Sequence, residues 1–280
     1  MCSPEIARVV RERSAKEGVS RRGFLKLGGF TAAGLAIASA GLPARVARAH
    51  EEATELIDLS HVFSPASAVY TPGEEPVRET FVSVKENGYY IQKWSFYEHA
   101  GTHVDIPAHF VDGGETVDNY APASYLSPAV VIDISAKAAE NPDATLDLAD
   151  IEAWEAANGA IPVGAVVAMY SGWDARWSDA VQFRNADADG VQHYPGFSGE
   201  AAAFLVEERD IHGIAVDTLS LDPGNSATFD THLTVLGAGK YGIENVANLG
   251  QLIGKAATIM VGVPRWEEGS GGPARVLALV

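Results

Sequence analysis

The sequence is poor in cysteine, poor in basic residues and free of long apolar runs, and each shortage removes a class of protein. Cys2 is the one cysteine in 280 residues, so a fold stapled by internal disulfides is excluded. Twenty lysines and arginines stand against 37 aspartates and glutamates, a formal net charge of −17. Such a surface repels nucleic acid and anionic membranes. The Gly- and Ala-rich run from Leu27 to Leu42 is shorter than the roughly 18 residues a membrane-spanning helix needs, and Pro43 ends it. No internal repeat, low-complexity tract or coiled-coil heptad is present, which excludes solenoid and fibrous architectures.

That apolar run belongs to a leader. Ser20-Arg21-Arg22-Gly23-Phe24-Leu25-Lys26 precedes it and Ala47-Arg48-Ala49 follows it. Twin arginines, a short apolar region and an A-x-A site form the pattern of a twin-arginine export signal. Residues 1–49 are therefore expected to be removed, with the twin-arginine translocation machinery as partner. The functional domain is expected to span residues 50–280, in the periplasm or outside the cell, or membrane-anchored if the signal stays. Without residues 1–49 the chain keeps 11 basic and 34 acidic residues, a net charge of −23, and loses Cys2.

Along residues 50–280, Leu56–Leu59 reads as a first strand. Thr80–Val84 and Tyr89–Phe96 read as a hairpin turned at Asn87-Gly88. Strands follow at Val130–Ile134, Val163–Tyr170, Ile211–Val216, Thr258–Val263 and Val276–Val280. Helices are expected at Leu148–Asn158 (Asp147 as N-cap, Gly159 as stop), from Ser198 to about Arg209, and from about Glu244 to Ile253. The polar, aromatic segment Trp173–Pro195 is too long for a plain connector and reads as a lid or specificity loop. Strands alternating with helices after a hairpin predict one α/β domain around a mixed sheet.

The chemistry concentrates in Glu98-His99-Ala100-Gly101-Thr102-His103-Val104-Asp105-Ile106-Pro107-Ala108-His109-Phe110, which holds three of the eight histidines. A helix is disfavoured by Gly101, by β-branched Thr102, Val104 and Ile106, and by Pro107. In an extended segment, spacings of four and two place His99, His103 and Asp105 on one side. Two imidazoles and a carboxylate leave a divalent ion open positions where water is activated. His109, just past Pro107, suits a proton carrier. Single histidines are more often structural, and it is the density that points to a metal. A second group, Thr231-His232 and Ile243-Glu244-Asn245-Val246-Ala247-Asn248-Leu249, has only ordinary structural features on its own.

Together these segments resemble the cyclase-like metal-dependent hydrolases, the family that includes bacterial kynurenine formamidase (arylformamidase) and isatin hydrolase. Its pattern H-x-G-T-H-x-D-x-P-x-H is matched by His99, Gly101, Thr102, His103, Asp105, Pro107 and His109. A later His and Glu-Asn-x-x-Asn-Leu are matched by His232 and Glu244 to Leu249. Asp58-Leu59-Ser60-His61, Ser171-Gly172-Trp173 and Asp217-Thr218-Leu219-Ser220-Leu221-Asp222 resemble further family segments, so the likeness covers nearly all of residues 50–280. Ser171 stands where threonine is usual, and Tyr70-Thr71-Pro72-Gly73 is looser than the family's Tyr-Pro-Gly.

The resemblance implies a swivelling β/β/α fold, a homo-oligomer, and one or two divalent ions, Zn2+ or Mn2+. It implies that His99, His103 and Asp105 are metal ligands, that His232 and Glu244 complete the site or hold a second ion, and that His109 is the catalytic acid/base. The expected activity is hydrolysis of an amide, formamide or lactam bond in a small substrate. A cyclase or lyase reaction on a small carbonyl compound, or a non-catalytic exported binding protein, is the alternative. Phe96 and Trp173, with Trp94, Tyr97, Phe110 and Trp177 nearby, are the candidates to contact an aromatic substrate. Asp217 and Asp222 read as loop-holding residues, and His61, His193 and His212 as structural.

Overall fold

The computed structural model describes residues 55–280, and the leader expected at residues 1–49, with its processing site, lies outside them. The described residues form two compact units, 77–95 and 55–76 with 96–280. Strand β1 (Leu56–Asp58) precedes the smaller unit, an antiparallel hairpin of β2 (Val77–Val82) and β3 (Ile91–Ser95). A helical turn, α1 (Val84–Asn87), joins its strands where a two-residue turn was expected. Ser83 Oγ accepts the Glu86 N–H, and Gly88 closes the turn at φ 79°. The Asn-Gly signal is therefore a left-handed helix stop.

The larger unit continues with β4 (His103–Asp105), β5 (Leu126–Asp133), β6 (Thr145–Leu146), β7 (Val166–Tyr170), β8 (Gly196–Phe197) and β9 (Gly213–Val216). It ends with β10 (Tyr241–Glu244), β11 (Ala257–Gly262), β12 (Gly271–Pro273) and β13 (Arg275–Leu279). Nine of these strands make one mixed sheet in the order β1-β13-β11-β5-β7-β9-β10-β4-β12, and β6 pairs with β8 separately. The run β5-β7-β9-β10 is parallel, and every other neighbour in the large sheet is antiparallel. The α/β class with a mixed sheet is thus the fold.

Alternation explains why both faces are covered. Successive side chains on a strand point to opposite faces. Val130, Ile132, Val167, Met169, Ile214 and Val216 enter one core, while Val131, Val166, Ala168 and Ala215 enter the other. The first core is closed by α3 (Leu148–Asn158) and α5 (Gly199–Glu208) through Ile151, Ala201, Ala202 and Leu205. Short helices α2 (Ser135–Glu140), α4 (Ala180–Arg184) and α6 (Asp230–Gly237) are the remaining α-helices among the described residues. At α3, the Asp150 carboxylate accepts the Asp147 N–H at 2.8 Å; at α5, Ser198 Oγ accepts the Ala201 N–H. Both caps leave fewer orphan donors, as helix starts require. Among the described residues, no helix is long and apolar enough to cross a membrane.

Two expectations fail. No helix runs from Glu244 to Ile253: Glu244 closes β10, and only a 3₁₀ turn, Leu249–Leu252, follows. Asn245 and Asn248 at φ 56° and 59° are left-handed and break any helix there, although Ile243, Val246 and Leu249 carry its apolar spacing. Nor is Trp173–Pro195 a bare loop. It carries a 3₁₀ turn and α4, and Trp173, Phe183 and Tyr194 bury themselves in a small core with Ala68 and Leu219.

Candidate metal centre

β4 is the strand on which the site is built. His103 and Asp105 lie two apart and share its face, and the antiparallel register with β10 sets Glu244 opposite His103. His103 Nε2 lies 3.3 Å from Asp105 Oδ1 and 3.3 Å from Glu244 Oε2. His232, on α6, brings Nε2 to 3.1 Å from Glu244 Oε1 and 3.6 Å from Asp105 Oδ2. His99 enters from the segment before β4, with Nδ1 2.6 Å from Asp105 Oδ1. Three histidines and two carboxylates thus converge from four chain segments. Their ligand atoms form two overlapping groups, His99/His103/Asp105 and Asp105/His232/Glu244.

Local structure fixes which atom each imidazole presents. His103 Nδ1–H donates to the Gly101 carbonyl at 2.8 Å, so Nε2 is the atom it turns to the carboxylates. His232 Nδ1 lies 2.5 Å from Asp222 Oδ2, and the Asp222 carboxylate also accepts the Thr231 and His232 N–H groups at the start of α6. Asp222 therefore caps the helix and aims its histidine, a larger role than holding a loop. Gly101 sits at φ 66°, where a Cβ would come 2.6 Å from the Phe63 ring. Only glycine allows that bend before His103.

The residues fit a divalent cation. His103 Nε2 and Asp105 Oδ2 are buried and have no hydrogen-bond partner, a costly state unless an ion takes both. Burial opposes charge on His103, yet the Asp105 and Glu244 carboxylates overcome it and raise its pKa to about 10. Burial also opposes charge on Asp105, which the three imidazoles nevertheless hold well below the usual carboxylate range. The cluster is a negative field that calls for positive charge. Imidazole and carboxylate donors suit zinc or manganese.

Above the cluster lies a pocket of about 350 Å³. His99, His103, His109, His232 and Glu244 reach it, and Val69, Tyr70, Tyr97, Phe110, Leu219 and Phe229 form apolar walls. His109 stacks on His99 with centroids 3.7 Å apart, and the rings crowded around it desolvate it, holding its pKa below the usual histidine range. Phe110 lies nearly parallel to His232 at 4.6 Å.

Phe96 and Trp173, the two candidates for substrate contact, lie away from the pocket. Phe96 is outside the pocket, packed edge-on against Phe63 at 5.3 Å and Trp266 at 6.4 Å. Trp173 is buried, donating Nε1–H to the Phe183 carbonyl under the Arg176 guanidinium. The aromatic wall is formed by Tyr70, from the segment looser than the family's Tyr-Pro-Gly, by Tyr97 and Phe110 beside the motif, and by Phe229, which no sequence signal marks. Asp217 holds Ser171 and Trp173 through their N–H groups, as expected. His61, His193 and His212 lie outside the cluster, against Trp177, Asp143 and Ser127 respectively.

A mixed sheet carrying buried imidazoles and carboxylates beneath an apolar pocket defines a metal-dependent hydrolase of the cyclase-like type. The chain belongs to that family: the family described as "Putative cyclase" matches residues 57–223. It is 34% identical over 191 residues to isatin hydrolase of Roseibium aggregatum, covering 65% of this chain and 72% of that protein. To kynurenine formamidase of Salinibacter ruber it is 27% identical over 199 residues, covering 68% and 82%. Its fold is similar to isatin hydrolase A of Labrenzia aggregata bound to benzyl benzoate, at TM-score 0.77 and 34% identity over 85% of this chain and 98% of that one. Isatin hydrolase A of Ralstonia solanacearum gives TM-score 0.76 and 36% identity over 85% and 95%.

Proposed function

We propose that this metal-dependent hydrolase, which acts on C–N bonds other than peptide bonds, opens the amide, formamide or lactam bond of a small aromatic compound. His99, His103 and Asp105 would hold one divalent cation, and His232 and Glu244 complete the site or, sharing Asp105, hold a second. When bound, the cation supplies Lewis-acid polarisation of a carbonyl oxygen and makes water more acidic. His109, an imidazole lining the pocket whose pKa is held below the usual histidine range, takes a proton from the attacking water and returns it to the leaving nitrogen as the C–O bond forms and the C–N bond breaks. Tyr70, Tyr97, Phe110 and Phe229 cover the faces of a ring system and exclude water, and a pocket of about 350 Å³ suits one or two fused rings. The relatives named for isatin and for kynurenine formamide chemistry support this class. The twin-arginine sequence pattern from Ser20 to Lys26 supports export by that route, and the family resemblance supports a homo-oligomer.

One observation carries the reading: His103 Nε2 and Asp105 Oδ2 are buried without hydrogen-bond partners among three other potential ligands. The experiment is elemental analysis of the purified protein, then assay with isatin and N-formylkynurenine with and without chelator. Bound zinc or manganese, and chelator-sensitive turnover of either compound, is expected. Metal-free protein that turns over either one equally well would overturn the proposal. A reporter fused behind residues 1–49 and tested in a strain lacking the translocase checks export.

A further inference from the structure

On the side of His99 away from Asp105, Nε2 lies 2.9 Å from Ser270 Oγ. The single hydroxyl proton of Ser270 is already committed, because Oγ–H donates to Glu98 Oε2 at 2.6 Å while the Ser270 N–H donates to the same oxygen at 3.1 Å. A carboxylate can only accept, so Ser270 Oγ faces His99 as an acceptor. Nε2 must then carry the ring proton, which leaves the Nδ1 lone pair directed at Asp105 Oδ1, 2.6 Å away. Two lone pairs at that distance are favourable only around a shared proton or cation.

The backbone is built to hold this chain of bonds. Gly271 pairs with Asp105 along β12, the Ser270 carbonyl accepts the Ile106 N–H at 3.0 Å, and the Gly269 carbonyl accepts the Val117 N–H at 2.9 Å. A Cβ on Gly271 would lie 2.7 Å from His99 Cε1, and one on Gly269 would lie 3.1 Å from Glu98 Oε1. Gly271 therefore lets the segment approach His99 more closely than a residue with a Cβ could.

We propose that Glu98 and Ser270 are positioning residues, a carboxylate–hydroxyl relay that holds His99 as its Nε2–H tautomer and so presents Nδ1 to the cation. The proposal rests on the reading of His99 as a ligand. Outer-shell partners of metal-binding histidines commonly set affinity in this way.

The test uses the full protein with Zn2+ alone, its affinity read by competition with a fluorescent chelator. The exchange of the His99 Nε2 proton with water is read by NMR of zinc-loaded, 15N-histidine-labelled protein. Ser270→Ala removes the acceptor. Glu98→Ala keeps the hydroxyl but frees its proton to point at Nε2, and decides the matter if Ser270→Ala does not fold. Each variant is expected to bind Zn2+ about 10- to 100-fold more weakly, as loss of an outer-shell partner predicts, and to exchange the Nε2 proton faster than wild type. His103→Ala separates the two levels of the argument. If it loses zinc while both relay variants bind within about twofold of wild type, the relay is overturned and the metal site stands. If His103→Ala also binds like wild type, the metal reading itself falls. An Nδ1–H on His99 in the zinc-loaded wild type likewise overturns the relay.

Discussion

His109 and Asp217 show how differently two polar residues behave. His109 reaches the pocket but makes no ligand-distance contact with the carboxylates, its ring lying flat on His99. His109→Ala should therefore abolish turnover while leaving the bound metal nearly unchanged, as elemental analysis beside a kinetic assay would show; loss of the metal would cancel the proton-carrier role. Asp217 is a structural group with a pH signature. Burial drives its pKa up to about 7 although Ser171 and Trp173 donate hydrogen bonds to it. The folded state thus holds this proton more tightly than the unfolded chain, whose carboxylate titrates near pH 4. Its stabilisation is complete below about pH 4 and is lost as pH rises through about 7. Denaturant titrations of wild type and Asp217→Asn should show the wild type losing ground to the variant between about pH 5 and pH 8. A constant difference between them would contradict the assignment.

At the scale of elements, the motif from His99 to His109 was legible because its members are near neighbours and alternation in β4 puts two of them on one face. Asp222 and Ser270 were not, since each meets its histidine only through the fold, Ser270 across 171 positions. The expected helix after Glu244 failed because apolar spacing says nothing of two left-handed asparagines. Of the aromatic candidates, Tyr97 and Phe110 line the pocket while Phe96 and Trp173 do not, because nearness to a motif in sequence does not say which way a ring faces. Trp173 is the clearest case. Trp173→Ala should cost about 3–5 kcal/mol of stability, as large buried aromatics do, and KM should move little if enough folded enzyme remains. A large KM change at unchanged stability would restore its substrate role. Gly101→Ala forces a left-handed backbone and a clash with Phe63, for which a loss of about 1–3 kcal/mol is expected in thermal denaturation.

For the whole molecule, the mixed α/β class could be read from alternating strand and helix signals, whereas the order of the nine strands could not, because pairing between distant strands leaves no local trace. The acidic excess is spread along the chain, with Asp105 and Glu244 buried at the centre. A cation there binds the folded state and not the unfolded one. Removing it should lower the melting temperature by roughly 5–10 °C relative to protein held at about 100 times the dissociation constant, and added zinc or manganese should restore it. A melting temperature indifferent to chelator would contradict a structural contribution from the ion.

The position of β4 has a consequence for biosynthesis. Its neighbours are β10 and β12, made up of residues 241–244 and 271–273, so a ribosome must synthesise through at least residue 273 before the ligand-bearing strand is flanked on both sides. A nascent polypeptide stalled before Glu244 would carry the full histidine motif and yet lack the strand that sets that carboxylate opposite His103. Assembly of the candidate site therefore waits on β10 and β12 rather than on emergence of the motif that first catches the eye.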